Sequence, residues 1–407
     1  MNLFVYSMKT LLFLMLLFSC HSSSAQWSTQ LQGGIGSFQS VHFADANSGF
    51  VTGSRFQFYK TANGGSTWLS QNNNAGPEEL TSVFMTSPND IYIVIKAVSA
   101  GNLDQLFISH DGGINFILNR YGIFRTVHFQ NPTTGYLAGP SGTMVKTNDA
   151  GLTWSQLSTG TTQLVRDVYF PNGQIGFIVG DNGLLRKTSN AGASWQALYS
   201  GTSTSLAAVY FTSSTTGYCV GANGTALRTQ DGGNTWAAMS VGVTVALHDI
   251  IFTSPSIGFI VGDFGTILRT SDGGTTWQSE QSNTFESLNA LATVANGRVW
   301  AVGDNGTVLV RNSTITAARN SLAADTYQLY PNPVTEAFTI ESGSIVDGPV
   351  HIQLTDIAGR EVLVKDYKVI NGAKLSVPTT NLAAGFYLVQ VTNSKGTWTK
   401  RITKTTY

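Results

Sequence analysis

Short apolar runs separated by polar turns recur in the same order about every 40 residues through most of this chain. One unit, Leu247–Trp277, reads LHDIIFTSPSIGFIVGDFGTILRTSDGGTTW. Its apolar runs have strand length, lie between turns rich in Gly, Asp, Ser and Thr, and lack the period of an amphipathic helix. The pattern predicts four short antiparallel strands in each unit.

An aromatic residue closes most units, at positions 68, 116, 154, 195, 236 and 277, so that the last three steps are 41 residues each. Close copies of the unit are Phe124–Trp154, Val165–Trp195 and Leu206–Trp236, and diverged copies begin at Phe38, Leu80 and Leu288. Four strands at this period are typical of a propeller blade. We therefore expect residues 26–318 to form a seven-bladed β-propeller.

The seventh unit has no recognisable last strand, and the N-terminal end of the propeller offers a replacement. Trp27 lies 41 residues before Trp68, and the stretch Gln26–Gln30 resembles the fourth-strand stretch Thr153–Gln156. A strand donated from the N-terminus would close the ring and protect the edges of the last blade. We expect this segment to complete the seventh blade.

Residues 1–25 have the pattern of a secretory signal peptide. Lys9 is followed by the apolar run Leu11–Phe18 and then by the small residues Ser22–Ala25. The run is short for a membrane span, so we expect no transmembrane segment in the mature chain. An alternative is a lipoprotein signal in which Cys20 is lipidated.

The C-terminal part has a different pattern. Residues 319–326 are small and polar, as expected for a linker. Residues 327–407 then carry alternating apolar and polar positions in several short runs, among them Val350–Thr355 and Gly385–Thr392. This pattern predicts a small Ig-like β-sandwich. The expected fold class is all-β, with a propeller followed by a sandwich.

Composition narrows the classes of function. Charged residues make up 11% of the chain, and 23 basic residues balance 23 acidic ones, which argues against a nucleic-acid partner. A mature chain that begins after Ala25 keeps one cysteine, Cys219, and so has no internal disulfide. The histidines lack metal-ligand spacing. We expect neither a metal nor a cofactor.

The first six repeats carry versions of the box Thr/Ser-x-Asp/Asn-x-Gly-x-Thr/Ser-Trp, with Phe116 in place of the tryptophan in the second. Its acidic or amide position is occupied by Asn63, Asp111, Asp149, Asn190, Asp231 and Asp272, and its aromatic position by Trp68, Trp154, Trp195, Trp236 and Trp277. Asp and Asn both accept hydrogen bonds from turn amides. The uncharged asparagines at two boxes argue for a structural role and against acid–base or metal chemistry.

The repeated box resembles the Asp-box, or BNR repeat, and with Gly-Phe/Tyr-x-Val-Gly-x-x-Gly in the same unit it resembles propellers of the photosystem II stability/assembly factor type. The resemblance implies that each box forms the hairpin turn between a blade's third and fourth strands. It also implies that the box tryptophan packs between blades.

The C-terminal segment resembles the type A sorting domain of the type IX (Por) secretion system. The matching pieces are Leu329–Pro333, Leu354–Arg360, Leu382–Val389 and Lys400–Lys404. The resemblance implies Sec export, passage across the outer membrane through the type IX machinery by way of residues 327–407, and release or attachment at the cell surface. A carbohydrate-binding or adhesive module is the alternative.

Asp-box propellers include glycosidases, which usually need two carboxyl groups beside the scissile bond. The glutamates of the predicted propeller are few (Glu78, Glu79, Glu280 and Glu286), and most of its aspartates lie in boxes or glycine turns. No arginine cluster or Ser/His/Asp set is recognisable. We therefore expect a secreted or cell-surface, non-enzymatic binding or assembly protein whose ligand is a protein or a glycan. The alternative is a secreted glycoside hydrolase of the Asp-box propeller kind.

Two features are candidates for a binding site. The second position of the first strand varies between blades and is mostly polar; Arg125, Arg166, His248 and Asn289 stand there and predict an asymmetric, mildly basic ring at the mouth of the channel. The second blade also has extra residues around Asn102 and Asp104. Insertions in repeats often map to a binding face, so we expect this loop to lie beside the ring.

Overall fold

The structure is a computed structural model, and it describes residues 27–33, 36–71, 76–98, 103–311, 328–341, 348–356, 360–369, 374–393 and 396–405. The chain divides into two compact units, residues 1–313 and 314–407. Among the described residues the regular secondary structure consists of β-strands and three single 3-10 turns, at Pro140–Gly142, Asp181–Gly183 and Ala222–Gly224.

The first unit contains seven four-stranded antiparallel sheets in its described part, which we number as blades 1 to 7. Blades 1 to 3 comprise Phe38–Phe43, Gly49–Gly53, Phe58–Thr61 and Leu69–Ser70; Glu79–Met85, Ile91–Lys96, Asp104–Ser109 and Ile117–Gly122; and Thr126–Phe129, Gly135–Ala138, Thr143–Thr147 and Ser155–Ser158. Blades 4 to 6 comprise Val165–Tyr169, Gly176–Gly180, Leu185–Thr188 and Gln196–Ala197; Leu206–Phe211, Gly217–Gly221, Ala226–Thr229 and Ala237–Ala238; and Leu247–Phe252, Gly258–Gly262, Thr266–Thr270 and Gln278–Glu280. Blade 7 comprises Leu288–Thr293, Val299–Gly303, Thr307–Arg311 and the N-terminal strand Trp27–Leu31. The fold is therefore the all-β, seven-bladed propeller predicted from the repeats.

Tight turns join the second and third strands of the blades. In blade 6 the turn is Gly262–Gly265, and Phe264 adopts a left-handed conformation with φ of 55°. Asn182, Asn223 and Asn305 hold the equivalent left-handed position in blades 4, 5 and 7. Asn tolerates this region well and a bulky residue does so poorly. The repeat therefore places Asn at this position in blades 4, 5 and 7, whereas blades 3 and 6 hold Ser141 and Phe264 there.

Packing between neighbouring blades forms the core. Each interface combines the second- and third-strand residues of one blade with the first-strand residues of the next. Between blades 3 and 4, for example, Tyr136 and Met144 pack with Val168, Phe170 and Trp195. The Tyr136 and Phe170 rings stack with centroids 4.0 Å apart. The apolar side chains that alternate along the sequence therefore form the contacts between neighbouring blades.

The last blade takes its outer strand from the N-terminal end of the described chain. Trp27–Leu31 pairs antiparallel with Thr307–Arg311, in a register that sets Trp27 opposite Arg311. The Trp27 side chain is 1% exposed and meets the Phe259 ring edge-on at 5.9 Å. Residues from the two ends of the propeller thus lie in one sheet.

The second unit contains two antiparallel sheets. The strands of one are Gln328–Tyr330, Ala337–Glu341 and Leu375–Pro378, and those of the other are Glu361–Val369, Gly348–Asp356, Gly385–Asn393 and Gly396–Lys404 in spatial order. Both sheets contribute to one core, with Phe338 and Ile340 from the first and Ile352 and Val389 from the second. A two-sheet core agrees with a sandwich, and the Ig-like assignment remains a prediction.

Candidate functional site: the mouth of the central channel

The first strands of the blades surround the channel, and their N-terminal ends line a cavity of about 390 Å³ at its mouth. Residues that contribute to the wall of this cavity include Arg125, Arg166, His248 and Asn289, and also Asp167 and Asp249 one position further along. The predicted ring residues are therefore brought together around one cavity.

The channel wall solves a problem of backbone hydrogen bonding. The first strand of each blade has an edge that faces the channel, and the N–H groups on that edge need acceptors. In blades 1, 2, 4 and 6 the side chain at the third position, counted from Phe38, Leu80, Val165 and Leu247, supplies an acceptor to the next blade. Val83 N donates to Ser40 Oγ at 3.1 Å, and Val127 N donates to Ser82 Oγ at 3.2 Å. These bonds connect consecutive blades around the axis.

In blades 4 and 6 the same third position holds an aspartate. Val209 N donates to Asp167 Oδ2 at 2.9 Å, and Leu291 N donates to Asp249 Oδ2 at 2.7 Å. The amide of the residue after each aspartate donates to its other oxygen. Burial is the main cause that raises the pKa of Asp167 to about 6 and that of Asp249 to about 7.

Most polar ring residues have a partner in the turn between the second and third strands of their own blade. Arg166 Nε lies 2.5 Å from Asp181 Oδ1, His248 Nε2 lies 2.7 Å from Asp263 Oδ1, and Asn289 Nδ2 donates to Asp304 Oδ1 at 3.0 Å. The partner stands 15 residues after the ring residue in all three cases. The Asp of the Gly-Asp-x-Gly turn therefore positions the ring residue.

These partners correct the expectation of a mildly basic ring. Two kinds of ionisable group occur among the lining residues and their direct partners. The basic ones are Arg125, Arg166 and His248, and the acidic ones are Asp167, Asp181, Asp249, Asp263 and Asp304. Acidic groups outnumber basic ones because each turn aspartate brings a charge that the ring position alone does not reveal. The mouth is acidic on balance.

Arg125 differs from the other charged ring residues. The position 15 residues after it is Pro140, which offers no carboxylate. Among the described residues, the Arg125 guanidinium has no ion pair or side-chain hydrogen bond, although it lines the cavity. Burial and the nearby charge of Arg166 lower its pKa. Arg125 is therefore a cation available to a ligand.

Five blades carry a ring two positions beyond the third-position residue, and therefore on the same face of the first strand. His42, Phe84, His128, Tyr169 and Tyr210 occupy the fifth position in blades 1 to 5. Successive ring centroids lie 4.1, 5.6, 5.6 and 5.1 Å apart. Burial lowers the pKa of both histidines to about 4, so they are neutral at pH 7. We call these five residues the aromatic collar.

The inserted loop of blade 2 contributes less to the candidate site than the sequence predicted. Asn102 lies outside the described residues. Asp104 begins the third strand of blade 2, and its carboxylate accepts hydrogen bonds from the backbone amides of Ala97 and Phe124, both at 3.0 Å. Asp104 therefore fixes the backbone on both sides of its strand, and its carboxylate is already occupied.

The boxes form hairpin turns between the third and fourth strands, at the end of each blade opposite the mouth. In the last box Asp272 Oδ1 accepts bonds from Thr270 Oγ1 at 2.8 Å and from Thr276 N at 2.9 Å, and Oδ2 accepts from Thr276 Oγ1 at 2.6 Å. These hydrogen bonds lower the pKa of Asp272 to about 2, and the bond from the Thr276 side chain has the largest effect. The carboxylate is therefore held by its own turn.

The same geometry recurs in the other boxes. Thr67 N donates to Asn63 Oδ1 at 2.9 Å, and Ser194 N donates to Asn190 Oδ1 at 2.9 Å. Further bonds hold Asp111, Asp149 and Asp231 in place. The box tryptophans Trp68, Trp154, Trp195, Trp236 and Trp277 pack into the interface with the preceding blade.

A larger groove of about 1010 Å³ lies between blades 3 and 4, and its lining is mainly hydroxyl and amide groups with a single charged side chain, Arg186. Arg186 Nη2 donates to Gly160 O at 2.6 Å. The groove is larger than the mouth, but its one charged side chain donates to the backbone carbonyls of Trp195 and Gly160, whereas Arg125 makes no side-chain hydrogen bond to a described residue. We therefore take the mouth as the candidate site.

Other chemistry is restricted in the described part of the chain. No group of three or more His, Cys, Asp or Glu side chains there is arranged to hold a metal ion. Cys219 lies buried in the second strand of blade 5, where burial raises the pKa of its thiol. None of the described helical segments has the length and apolar character of a membrane span.

Comparison with known families covers both units. Residues 117–205 and 235–314 match the family described as photosynthesis system II assembly factor YCF48, and residues 328–405 match the secretion system C-terminal sorting domain. The match to the sorting domain agrees with the resemblance seen in the sequence. A search of curated proteins gave no match.

Similar solved structures are propellers. The structure described as "YCF48 bound to D1 peptide" is 17% identical, with a TM-score of 0.61 over 71% of this chain and 98% of that one. YCF48 from Cyanidioschyzon merolae is 16% identical, with a TM-score of 0.60 over 72% and 100%. The WD40 propeller domain of Doa1 is 11% identical, with a TM-score of 0.59 over 71% and 96%. The chain thus combines a BNR-repeat propeller of the photosystem II assembly factor type with a C-terminal sorting domain of the type IX secretion system.

Proposed function

We propose that the protein is exported through the Sec and type IX systems and acts outside the cell as a non-enzymatic binding propeller. Its partner is a protein that inserts an anionic group into the channel mouth beside Arg125. Attachment to the cell surface or release follows passage of residues 327–407 through the export machinery. The sorting-domain match supports the export route, and the unpaired guanidinium of Arg125 carries the proposal for binding.

The physical case for Arg125 is the cost of leaving its charge unpaired. A guanidinium withdrawn from water loses solvation, and it regains that energy from a bidentate bond to a carboxylate or phosphate. Arg166 has a carboxylate partner within its own blade, whereas Arg125 lacks one. A carboxylate from a partner would complete the missing pair. The 17%-identical YCF48 is described as bound to a D1 peptide, and this likeness supports a peptide segment as the partner.

The test is capture of surface and extracellular proteins by the purified mature chain, compared with Arg125→Ala and with Arg228→Ala as a control. Arg228 carries the same charge on the third strand of blade 5, outside the mouth cavity. We expect Arg125→Ala to reduce the affinity for one captured protein by about tenfold or more, which is the usual effect of removing a buried charge-assisted hydrogen bond. Equal capture by both variants, or binding only to a glycan array, would contradict the proposal.

A second candidate, a glycoside hydrolase, draws on one observation. Asp167 and Asp249 are two carboxyl groups in one cavity, and the raised pKa of each is a feature of catalytic acids. Each, however, accepts two backbone N–H bonds and links neighbouring strands. Release of chromophore from aryl glycosides by the native chain, lost in Asp249→Ser, would establish this alternative.

A further inference from the structure

Asp167 and Asp249 at the channel mouth carry a charge that their structural role does not require. Third-position side chains accept the amide of the next blade, and Ser40 and Ser82 do this without charge. At the same position blades 5 and 7 carry Ala208 and Ala290, which have no acceptor side chain. A carboxylate is therefore not needed to close the ring of blades, and its charge is left to be explained.

No cation of the described chain neutralises these carboxylates. Asp167 and Asp249 receive hydrogen bonds from backbone amides, and neither forms an ion pair with another described residue. Arg166, the neighbour of Asp167 in the chain, is bonded to Asp181 instead. Each carboxylate oxygen can accept about two hydrogen bonds, so acceptor capacity remains after the amides are satisfied.

The aromatic collar provides a second, independent feature that favours a cation. Side chains two positions apart on a strand lie on the same face, so Tyr169 follows Asp167 along the channel wall. The Tyr169 and Tyr210 hydroxyls donate to Phe211 O and Phe252 O, both at 3.2 Å. Their hydroxyls are thus engaged by the backbone, while the rings follow the third-position residues on the same faces of the first strands. Aromatic rings attract organic cations through their quadrupole.

We propose that Asp167, Asp249 and the aromatic collar form a site for the protonated amine of a ligand that enters the channel mouth. The proposal rests on the use of the mouth as the binding site, as proposed above. Arg125 and the aspartates lie in one cavity, so a ligand with an amine and an anionic group can satisfy both ends of it. A lysine side chain of a protein and a free polyamine share this amine chemistry.

The experiment is calorimetry on the full mature chain with three probes: spermidine, Nα-acetyl-lysine amide, and calcium chloride. We expect an amine to bind and calcium not to bind. Binding of the lysine amide identifies a protein side chain as a source, and binding of spermidine alone identifies a free polyamine. Binding of neither amine, or of calcium alone, would overturn the proposal.

Two variants separate binding from folding. Asp249→Ser places in blade 6 the residue that blades 1 and 2 already use, and we expect it to lower amine affinity about tenfold or more. Ser109→Ala removes a hydrogen bond in the box of blade 2, outside the mouth cavity, without a change of charge and should keep the affinity. Unchanged affinity in a folded Asp167→Ser, Asp249→Ser double variant would refute the site.

The pH dependence gives a further readout. The ionisable groups on the elements around the two carboxyls are Arg125, His128, Arg166, Tyr169, Asp181, Tyr210, Cys219, His248 and Asp263. Amine affinity should rise from pH 5 to pH 8 as Asp167 and Asp249 lose protons, and the double variant should lose this rise. A flat profile in the native chain would contradict the site.

The two proposals fail separately. If Arg125→Ala abolishes partner capture while no amine binds, the amine site is wrong and the proposed function stands. If an amine binds through Asp249 while Arg125→Ala leaves partner capture unchanged, the role of Arg125 in the proposed function is wrong.

Discussion

Trp27 Nε1 donates a 2.8 Å hydrogen bond to Glu280 Oε2, although the two residues are 253 positions apart in the chain. Glu280 belongs to blade 6 and Trp27 to the outer strand of blade 7. Arg311 Nε, on the strand next to Trp27, lies 3.1 Å from the same carboxylate oxygen. One carboxylate therefore connects the strand that completes the ring with the neighbouring blade.

This connection predicts a large effect of Trp27 on stability. Trp27→Ala should lower the free energy of unfolding by about 3–5 kcal/mol, because it removes a buried indole and one of the hydrogen-bond donors to a largely buried carboxylate. Trp27→Phe should cost less, since it keeps most of the packing against Phe259. Urea unfolding monitored by circular dichroism measures both values.

Leu69→Ala is the control for this prediction, because Leu69 lies on the outer strand of blade 1 with 65% of its surface exposed. Its effect should stay within about 0.5 kcal/mol of zero. A similar loss of stability in the Trp27 and Leu69 variants would show that ring closure contributes no special stability.

The boxes predict that amide and carboxylate are interchangeable at the turn. Asp272→Asn should leave the unfolding temperature nearly unchanged, because Asn190 holds the same turn in blade 4. Asp272→Ala should lower it, since it leaves turn amides without their acceptor. Thermal unfolding of the pair at pH 7 distinguishes them, and equal losses would contradict the structural role of the turn.

The buried aspartates predict a characteristic pH profile. The pKa of Asp249 is raised to about 7 in the fold, above its value near 3.8 in the unfolded chain, so ionisation disfavours the fold. Its destabilising contribution is absent below pH 3.8, grows as pH rises, and is complete above about pH 7. Asp249→Ser should therefore gain stability relative to the native chain between pH 5 and pH 8, by roughly 2 kcal/mol.

The comparison of the two chains removes the contribution of groups that do not interact with Asp249. His42 and His128 also titrate below pH 7, because burial lowers the pKa of both to about 4. Their contribution is largely shared by the native and variant chains and cancels in the difference. A difference that stays constant from pH 5 to pH 8 would show that Asp249 does not carry a buried charge.

Much of the fold could be predicted from the sequence because the repeat shows each structural requirement several times. The Asn63 and Asn190 boxes indicated a turn held by an amide or carboxylate oxygen, and the spacing of Trp27 from Trp68 pointed to the strand that the structure pairs with Thr307–Arg311. Periodic contacts within a blade or between neighbouring blades leave a periodic signal in the sequence.

The electrostatics of the mouth could not be predicted as well, because they depend on contacts between different strands. The sequence indicates that Arg166 and His248 are basic positions of the ring, whereas the structure pairs them with Asp181 and Asp263. A signal was present nonetheless: the residue 15 positions later is Asp where the ring residue is Arg166, His248 or Asn289, and Pro140 where it is Arg125. Comparison of the two positions across blades would have separated paired from unpaired arginines.

Site-specific photo-crosslinking tests the binding role of the mouth most directly. Benzoylphenylalanine is placed at Ala207 in the mouth cavity, or at Leu152, a residue 78% exposed in the box of blade 3 at the opposite end of the blades. We expect a protein partner to crosslink from position 207 and not from position 152, and to be lost when Arg125→Ala is added. Crosslinking from position 152, or crosslinking from position 207 that persists without Arg125, would contradict a binding site at the mouth.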